Sequence, residues 1–252
     1  DEDGQLPGAP DGGSKNPGAD ATQQQNDASP RQGVAAVYAH SASTLYKLDP
    51  ETLAVEVIGN FSNCSGIVDI ALDKDSNLYG TSFFGLYKID STTAACTLIA
   101  SGSYPNSLSF VPVGVLDNSR EVLVAYENSQ YVSIDVATGQ IKDIGSIGGG
   151  YASSGDVVSV EGGGTFLTAN GPDCNDCLLQ INPATGAMIN NWGALGYQSV
   201  FGLAYWGGTA YGFDDTGAAF AIHFSGNAVS TSNIDIPNAP ANLSFWGAGS
   251  TT

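Results

Sequence analysis

The stretch "GLYKIDSTTAACTLIA" at residues 85–100 restates "TLYKLDPETLAVEVIG" at 44–59, forty-one positions earlier. Its opening six residues occur in five versions along the chain, "TLYKLD" at 44, "GLYKID" at 85, "QYVSID" at 130, "CLLQIN" at 177 and "AAFAIH" at 218. These end on Asp49, Asp90, Asp135, Asn182 and His223, spaced by 41, 45, 47 and 41 residues. A side chain that accepts a hydrogen bond from the backbone two residues on suits the first position of a tight turn. Each copy runs into a turn-forming stretch ("PETL", "STTA", "VATG", "PATG", "FSGN") and then a second apolar-alternating run. The pattern predicts a strand, a turn and a strand, five times over.

A second column lies upstream of each hairpin: "DIAL" at 69, "SLSF" at 107, "VVSV" at 157, "GLAY" at 202 and "NLSF" at 242. Each sets a small residue (Ala71, Ser109, Ser159, Ala204, Ser244) between two larger ones. Alternation along a strand then gives one bulky and one small face, which suits sheets stacked face to face around a ring. Between the columns "LYGTS", "VLVAY", "TFLTA" and "AYGFD" each supply one more strand. The unit is four antiparallel strands in about forty-three residues, the dimensions of a propeller blade. Four copies occupy 66–106, 107–151, 156–197 and 200–236. The remaining blade is split: "VAAVYAH", "TLYKLD" and "AVEVIG" near the start, with "NLSFWGAG" at the C-terminus as its innermost strand. The expected fold is therefore all-β, a five-bladed β-propeller of four-stranded antiparallel blades, closed by the C-terminal strand in the first blade.

These repeats resemble those of secreted bacterial β-propellers, which run approximately "LAxxxxGxLYGxxxxxLYxIDxxTGxxTxIG". The resemblance covers residues 34–252 and extends to lipoprotein-like surface propellers. It implies the fold and little about activity, because propellers serve many functions. The "GH" and "WD" pairs of WD repeats are absent, as are the tryptophan-docking signatures of quinoprotein blades.

Residues 1–33 have only Leu6 and four alanines as apolar side chains, among many Gly, Pro, Asp, Asn and Gln. Such a composition cannot bury enough surface to offset its ordering entropy, so a low-complexity acidic tether, disordered or extended, is expected there. The formal charge is −18. Six acids and two bases fall within 1–33, leaving −14 for the rest. This argues against nucleic acid and anionic membranes, which need clustered cations. No run of eighteen apolar residues is present, so no transmembrane segment is expected. A chain opening "DEDG", whose one methionine is Met188, reads as trimmed of an export signal. A polar leader before a compact domain is the layout of surface lipoproteins. The expected location is extracytoplasmic (cell surface, periplasm or secreted), with lipid anchoring through a residue upstream of Asp1.

Four cysteines suit an oxidising compartment. Cys174 and Cys177 read as a structural disulfide, since a zinc site would lack further ligands and a redox CxxC would open a helix. Cys64 and Cys96 remain as the other pair, a pairing the repeat layout leaves open.

Propeller ligands meet the face made by the connections between blades and the loops between second and third strands. There the sequence offers Phe61, Tyr104, Tyr151 and Tyr197 in the connections, with Phe83, Phe84, Asp214 and Asp215 in the neighbouring loops. Aromatics beside small polar groups suit a partner's side chains or sugar rings. Once-per-repeat aromatics also suit wedges between blades. A glycosidase needs convergent carboxylates, and only Asp69, Asp156, Asp214 and Asp215 can approach the centre. Asp69 and Asp156 sit one register apart relative to the small-residue column, so they need not point the same way. His223 replaces an Asp in the turn column and His40 ends a strand. Asp73, Asp75 and Asn77 have the spacing of a calcium loop but read as a hairpin turn, without the glycine and glutamate of an EF-hand. No catalytic residue, metal or cofactor is implied. The expected function is a non-catalytic, extracellular protein-interaction or assembly module, within a surface complex or filament. Its expected partners are a surface or periplasmic protein, a second copy reached through the tether, or a glycan. The alternatives are a lectin-like propeller and a secreted glycoside hydrolase or lyase.

Overall fold

The structure, a computed structural model, describes residues 36–251, and the expected tether at 1–33 lies outside them. The chain opens with β1 (Val37–His40), β2 (Thr44–Leu48) and β3 (Val55–Asn60). A second blade follows as β4 (Ile67–Leu72), β5 (Leu78–Ser82), β6 (Gly85–Ile89) and β7 (Cys96–Ser101). The third is β8 (Asn106–Val111), β9 (Val122–Glu127), β10 (Gln130–Ile134) and β11 (Ile141–Ser146). The fourth is β12 (Ala152–Ser159), β13 (Thr165–Asn170), β14 (Cys177–Ile181) and β15 (Met188–Ala194). The fifth is β16 (Val200–Trp206), β17 (Thr209–Asp214), β18 (Ala219–Ser225) and β19 (Ala228–Ile234). Finally β20 (Gly247–Ser250) pairs antiparallel with β1, from Val37 opposite Ser250 to His40 opposite Gly247. The first blade is thus β20-β1-β2-β3, and the five four-stranded sheets make the β-propeller that the repeats predict. The innermost strands β4, β8, β12, β16 and β20 neighbour one another in a closed ring.

Five apolar clusters occupy the five seams between blades, so the core is a ring of small cores. The middle strands are buried on both faces, as five of six positions in β13 are, because each blade is covered by two others. Across the seams, side-chain donors lock onto the hairpin between third and fourth strands of the next blade. Tyr104 Oη donates to the Gly139 carbonyl at 2.8 Å, Tyr126 Oη to Gly186 at 2.7 Å, Tyr131 Oη to Pro183 at 2.9 Å, and Trp206 Nε1 to Pro50 at 3.0 Å. Gly186 illustrates the close approach: its φ is +71°, and a Cβ there would run into the Tyr131 side chain.

The turn column behaves as expected in four copies. The Oδ1 atoms of Asp49, Asp90, Asp135 and Asn182 accept the backbone N–H two residues on, at 2.8–2.9 Å. The fifth copy corrects the reading of His223, which lies inside β18 opposite Ser230, with Nε2 on Ser232 Oγ at 2.8 Å; here the hairpin is longer and turns at Gly226. Asp73 closes the hairpin after β4, taking the N–H groups of Asp75 and Asn77 on Oδ1. The C-terminal column is also displaced. The innermost strand of the first blade is Gly247–Ser250, so Ala248, and not Ser244, is the small residue of the inner strand, buried in the seam toward the fifth blade. Leu243 and Phe245 instead fill the seam between the fifth and first blades, with Phe245 fully buried between Tyr46 and Phe213. Filling a seam with a large ring outweighs continuing an alternating pattern.

Both disulfides form, Cys64 to Cys96 and Cys174 to Cys177. The first fastens the connection leaving the first blade to the start of β7, beside a bridge between Ser62 and Ala95. It closes a span of 32 residues against 3 for the second. By loop-closure entropy, Cys64→Ala with Cys96→Ala should cost about 3–4 kcal/mol, and the Cys174/Cys177 double variant about 2 kcal/mol. Denaturant unfolding of the oxidised protein and the two variants measures the ratio.

Candidate functional site

An innermost strand has one neighbour in its own sheet, so its other edge presents unpaired N–H and C=O groups toward the axis. The axial cavity is ≈ 10 Å³, lined by Ala71, Ser109, Leu203, Ala248 and their neighbours. That is room for about one water at most, so solvent there cannot satisfy the strand edges that line it. Side chains of adjacent blades do it instead. Asp69 on β4 accepts the Leu108 N–H of β8 on Oδ2 at 2.7 Å and the Ile70 N–H on Oδ1 at 2.8 Å. Asp156 on β12 repeats the arrangement, with Leu203 N–H of β16 at 2.7 Å and Val157 N–H at 2.6 Å. Ser109 Oγ takes the Ser159 N–H at 3.1 Å, Ser250 Oγ takes the Tyr205 N–H at 3.0 Å, and Ser107 Oγ donates to the Gly155 carbonyl at 2.6 Å.

The one-residue offset between Asp69 and Asp156 is absorbed by irregular pairing. The register slips between Ile67 and Asp69 in β4 and, over a longer stretch, between Ser153 and Val157 in β12. The two carboxyl groups, which the offset alone left free to point apart, converge within hydrogen-bonding reach of each other at one end of the axis. Both are buried, Asp69 to 1% and Asp156 to 0% exposure. Burial pushes Asp69 up to about 8, against the pull of its backbone donors. Asp156 is raised too, by burial first and then by the charge of Asp69. Two carboxyls sharing a dry site cannot both ionise, so the pair keeps a proton well above the usual carboxylate range.

His40, at the end of β1, is also fully buried. Its Nδ1 donates to the Ser41 carbonyl at 2.9 Å, which leaves the lone pair on Nε2. Nε2 has no hydrogen-bond partner, and burial lowers the histidine to about 4. A Cβ on Gly247 would collide with both Asp69 Oδ1 and His40 Nε2, so this glycine lets β20 pass beside the two groups. The cluster braces the ring chemically, with Asp69, Asp156 and His40 all buried.

The residues expected to bind a partner separate into two sets. Tyr104 and Tyr151 are buried at seams, with Tyr151 Oη accepting from Asn191 Nδ2 at 2.9 Å. Tyr197 stacks on Phe220 at 3.8 Å, and Phe61 meets His40 edge-on at 5.9 Å. Asp214 is buried and caps its own loop through Thr216 and Ala218. Phe83 and Phe84 stand 64% and 67% exposed on the second blade, and Asp215 is exposed on the fifth, on the same side of the ring. Sequence reasoning missed Trp246, 43% exposed at the threshold of β20, because it placed this residue inside a strand. A hollow of ≈ 460 Å³ lies on the third blade, where Arg120 pairs with Asp117 and Asp135. It belongs to the hairpin-turn side, away from these aromatics.

No family model matches the sequence, and no curated protein matches it either. Among solved structures the chain is similar to one from a nidogen/laminin complex, with TM-score 0.53 and 13% identity over 86% of this chain and 98% of that one. It is also similar to a protein of unknown function from Bacteroides caccae, with TM-score 0.44 and 9% identity over 84% of this chain and 76% of that one. Likeness at such identity is a likeness of fold.

The axial cluster predicts a pH dependence whose sign can be worked out. A raised carboxyl pair binds more protons folded than unfolded, so its stabilisation is lost as pH rises toward about 8. His40 acts oppositely, losing stabilisation as pH falls from its ordinary value toward about 4. Above about pH 7.5 the histidine is neutral in both states, and only the carboxyls contribute. Stability should fall between about pH 7 and 8 with a slope of at most about 1.4 kcal/mol per unit, roughly one retained proton. Denaturant unfolding at a series of pH values reads the slope, which Asp69→Asn should flatten.

Proposed function

We propose that this propeller is a non-catalytic, extracytoplasmic binding module that meets a partner protein on the face built from the blade connections and the loops between second and third strands. The observation that carries the reading is the contrast on that face: Phe83, Phe84 and Trp246 project from it, while the acids nearest the axis are sealed beneath it. Large exposed aromatics are the residue types that anchor protein interfaces. They sit on the first and second blades, whose seam is held rigid by the Cys64–Cys96 disulfide. Two disulfides suit an oxidising compartment. In this reading residues 1–33 are the spacer between the propeller and the surface that carries it, with the lipid anchor upstream of Asp1.

Hydrolysis of a glycan is a poorer fit, because the carboxyls that would act as acid and base are enclosed and already engaged by backbone donors. The test is capture of envelope proteins from the producing cells by the immobilised full chain, beside a polysaccharide panel assayed for binding and cleavage. Phe84→Ala with Trp246→Ala should leave the melting temperature within about 2 °C and reduce capture at least fivefold, consistent with aromatic hot spots. Undiminished capture by that variant, or polysaccharide cleavage abolished by Asp156→Asn, would overturn the proposal.

A further inference from the structure

The charges of the described residues are sorted by side. Lys47, Lys74, Lys88, Arg120 and Lys142, the five cations within 36–251, all lie in the hairpins joining first to second and third to fourth strands, or within two residues of them. The opposite side has no lysine or arginine in any described connection or loop. Its blade connections read "FSNCSG", "GSYP", "IGGGY", "LGYQS" and "DIPNAPANLSFW", and its loops "SAS", "FF", "NS", "GPDCND" and "DTGA". The acids on that side divide by burial. Asp69 and Asp156 are enclosed, and Asp176 and Asp214 spend their oxygens on Ser154, Ser199 and Thr216. Glu127, Asp173, Asp215 and Asp235 remain exposed, on the third, fourth and fifth blades. One face thus carries exposed aromatics over two blades and uncompensated carboxylates over the other three.

We infer that the partner segment received by this face is a basic polypeptide, with lysine or arginine over the third to fifth blades and an apolar or planar group against Phe84 and Trp246. This inference rests on the binding face proposed above and adds the chemistry of its occupant. Charge complementarity selects it: with no cation of its own, the face can neutralise its four carboxylates only with a partner's. Arginine satisfies both halves, since its guanidinium pairs with carboxylates and stacks on aromatic rings. A second copy fits less well, because this chain is itself strongly acidic outside residues 1–33. The stretch 1–33, with six acids and two bases, has the same fault. Nucleic acids and anionic lipid meet repulsion.

The experiment uses the full chain and three probes: a fifteen-residue peptide rich in arginine and lysine with one tryptophan, the same peptide with every cation replaced by glutamate, and a neutral oligosaccharide. Binding is followed by fluorescence anisotropy. The basic peptide should bind, weaken about tenfold between 50 and 300 mM salt, and weaken about tenfold again in Asp173→Asn/Asp215→Asn/Asp235→Asn. The glutamate peptide should not bind. These aspartates are exposed, so an unchanged melting temperature verifies the fold of the triple variant. Equal binding of the two peptides, preference for the neutral oligosaccharide, or no effect of the triple variant would overturn the inference. The two levels separate in the capture assay. Loss on Phe84→Ala/Trp246→Ala with none in the aspartate variant sinks the charge inference alone, whereas retention in both sinks the binding face itself.

Discussion

A ring of sheets leaves an inward-facing edge on each innermost strand, and the cavity of ≈ 10 Å³ between those strands leaves almost no room for solvent there. Backbone groups buried without partners cost several kcal/mol each in an apolar medium, so the closed ring demands polar side chains at its centre. Asp69, Ser107, Ser109, Asp156 and Ser250 meet that demand, each binding the strand of another blade. The small-residue column is enclosed with them: Ala71, Ser109, Ser159, Ala204 and Ala248 are all buried. The buried carboxyl pair belongs to this logic too. Its proton is retained because two backbone N–H donors apiece do not repay the loss of water around two charges.

Much of this architecture was legible in the residues. The acceptor at the start of each turn is a local device, and Asp49, Asp90, Asp135 and Asn182 work as their spacing implies. Errors arose where local pattern met a global requirement. "NLSF" mimics the inner-strand column, yet its Phe245 is taken up by the seam between the last and first blades. His223 occupies the right period, but the fifth hairpin extends past it before turning. The meeting of Asp69 with Asp156 was hidden because slipped registers change which way a side chain points, and a slip leaves no compositional trace.

The candidate face shows a similar division. Repetition marked the aromatics of the connections, and repetition is also what packing produces: Tyr104 and Tyr151 are buried, and Tyr197 is stacked on Phe220. Phe83, Phe84 and Trp246 have no counterparts in the other blades. Departure from the repeat is therefore the better guide to exposed chemistry in a propeller, while agreement with it indicates the frame.

The split first blade carries a consequence for the order of assembly. During synthesis β1, β2 and β3 emerge before the other described strands, yet the inner partner of β1 is β20, the last of those strands to be made. Until then β1 offers a bare edge, and the seams on either side of the first blade lack their final strand. A nascent chain must hold four finished blades in an open arc and close it with four residues, "GAGS", too small to drive the step by their own burial. Phe245, fully buried just upstream of them, supplies the apolar surface that draws the end home. Loss of Gly247–Ser250 would thus leave a ring that cannot shut, with an adhesive edge open to its neighbours.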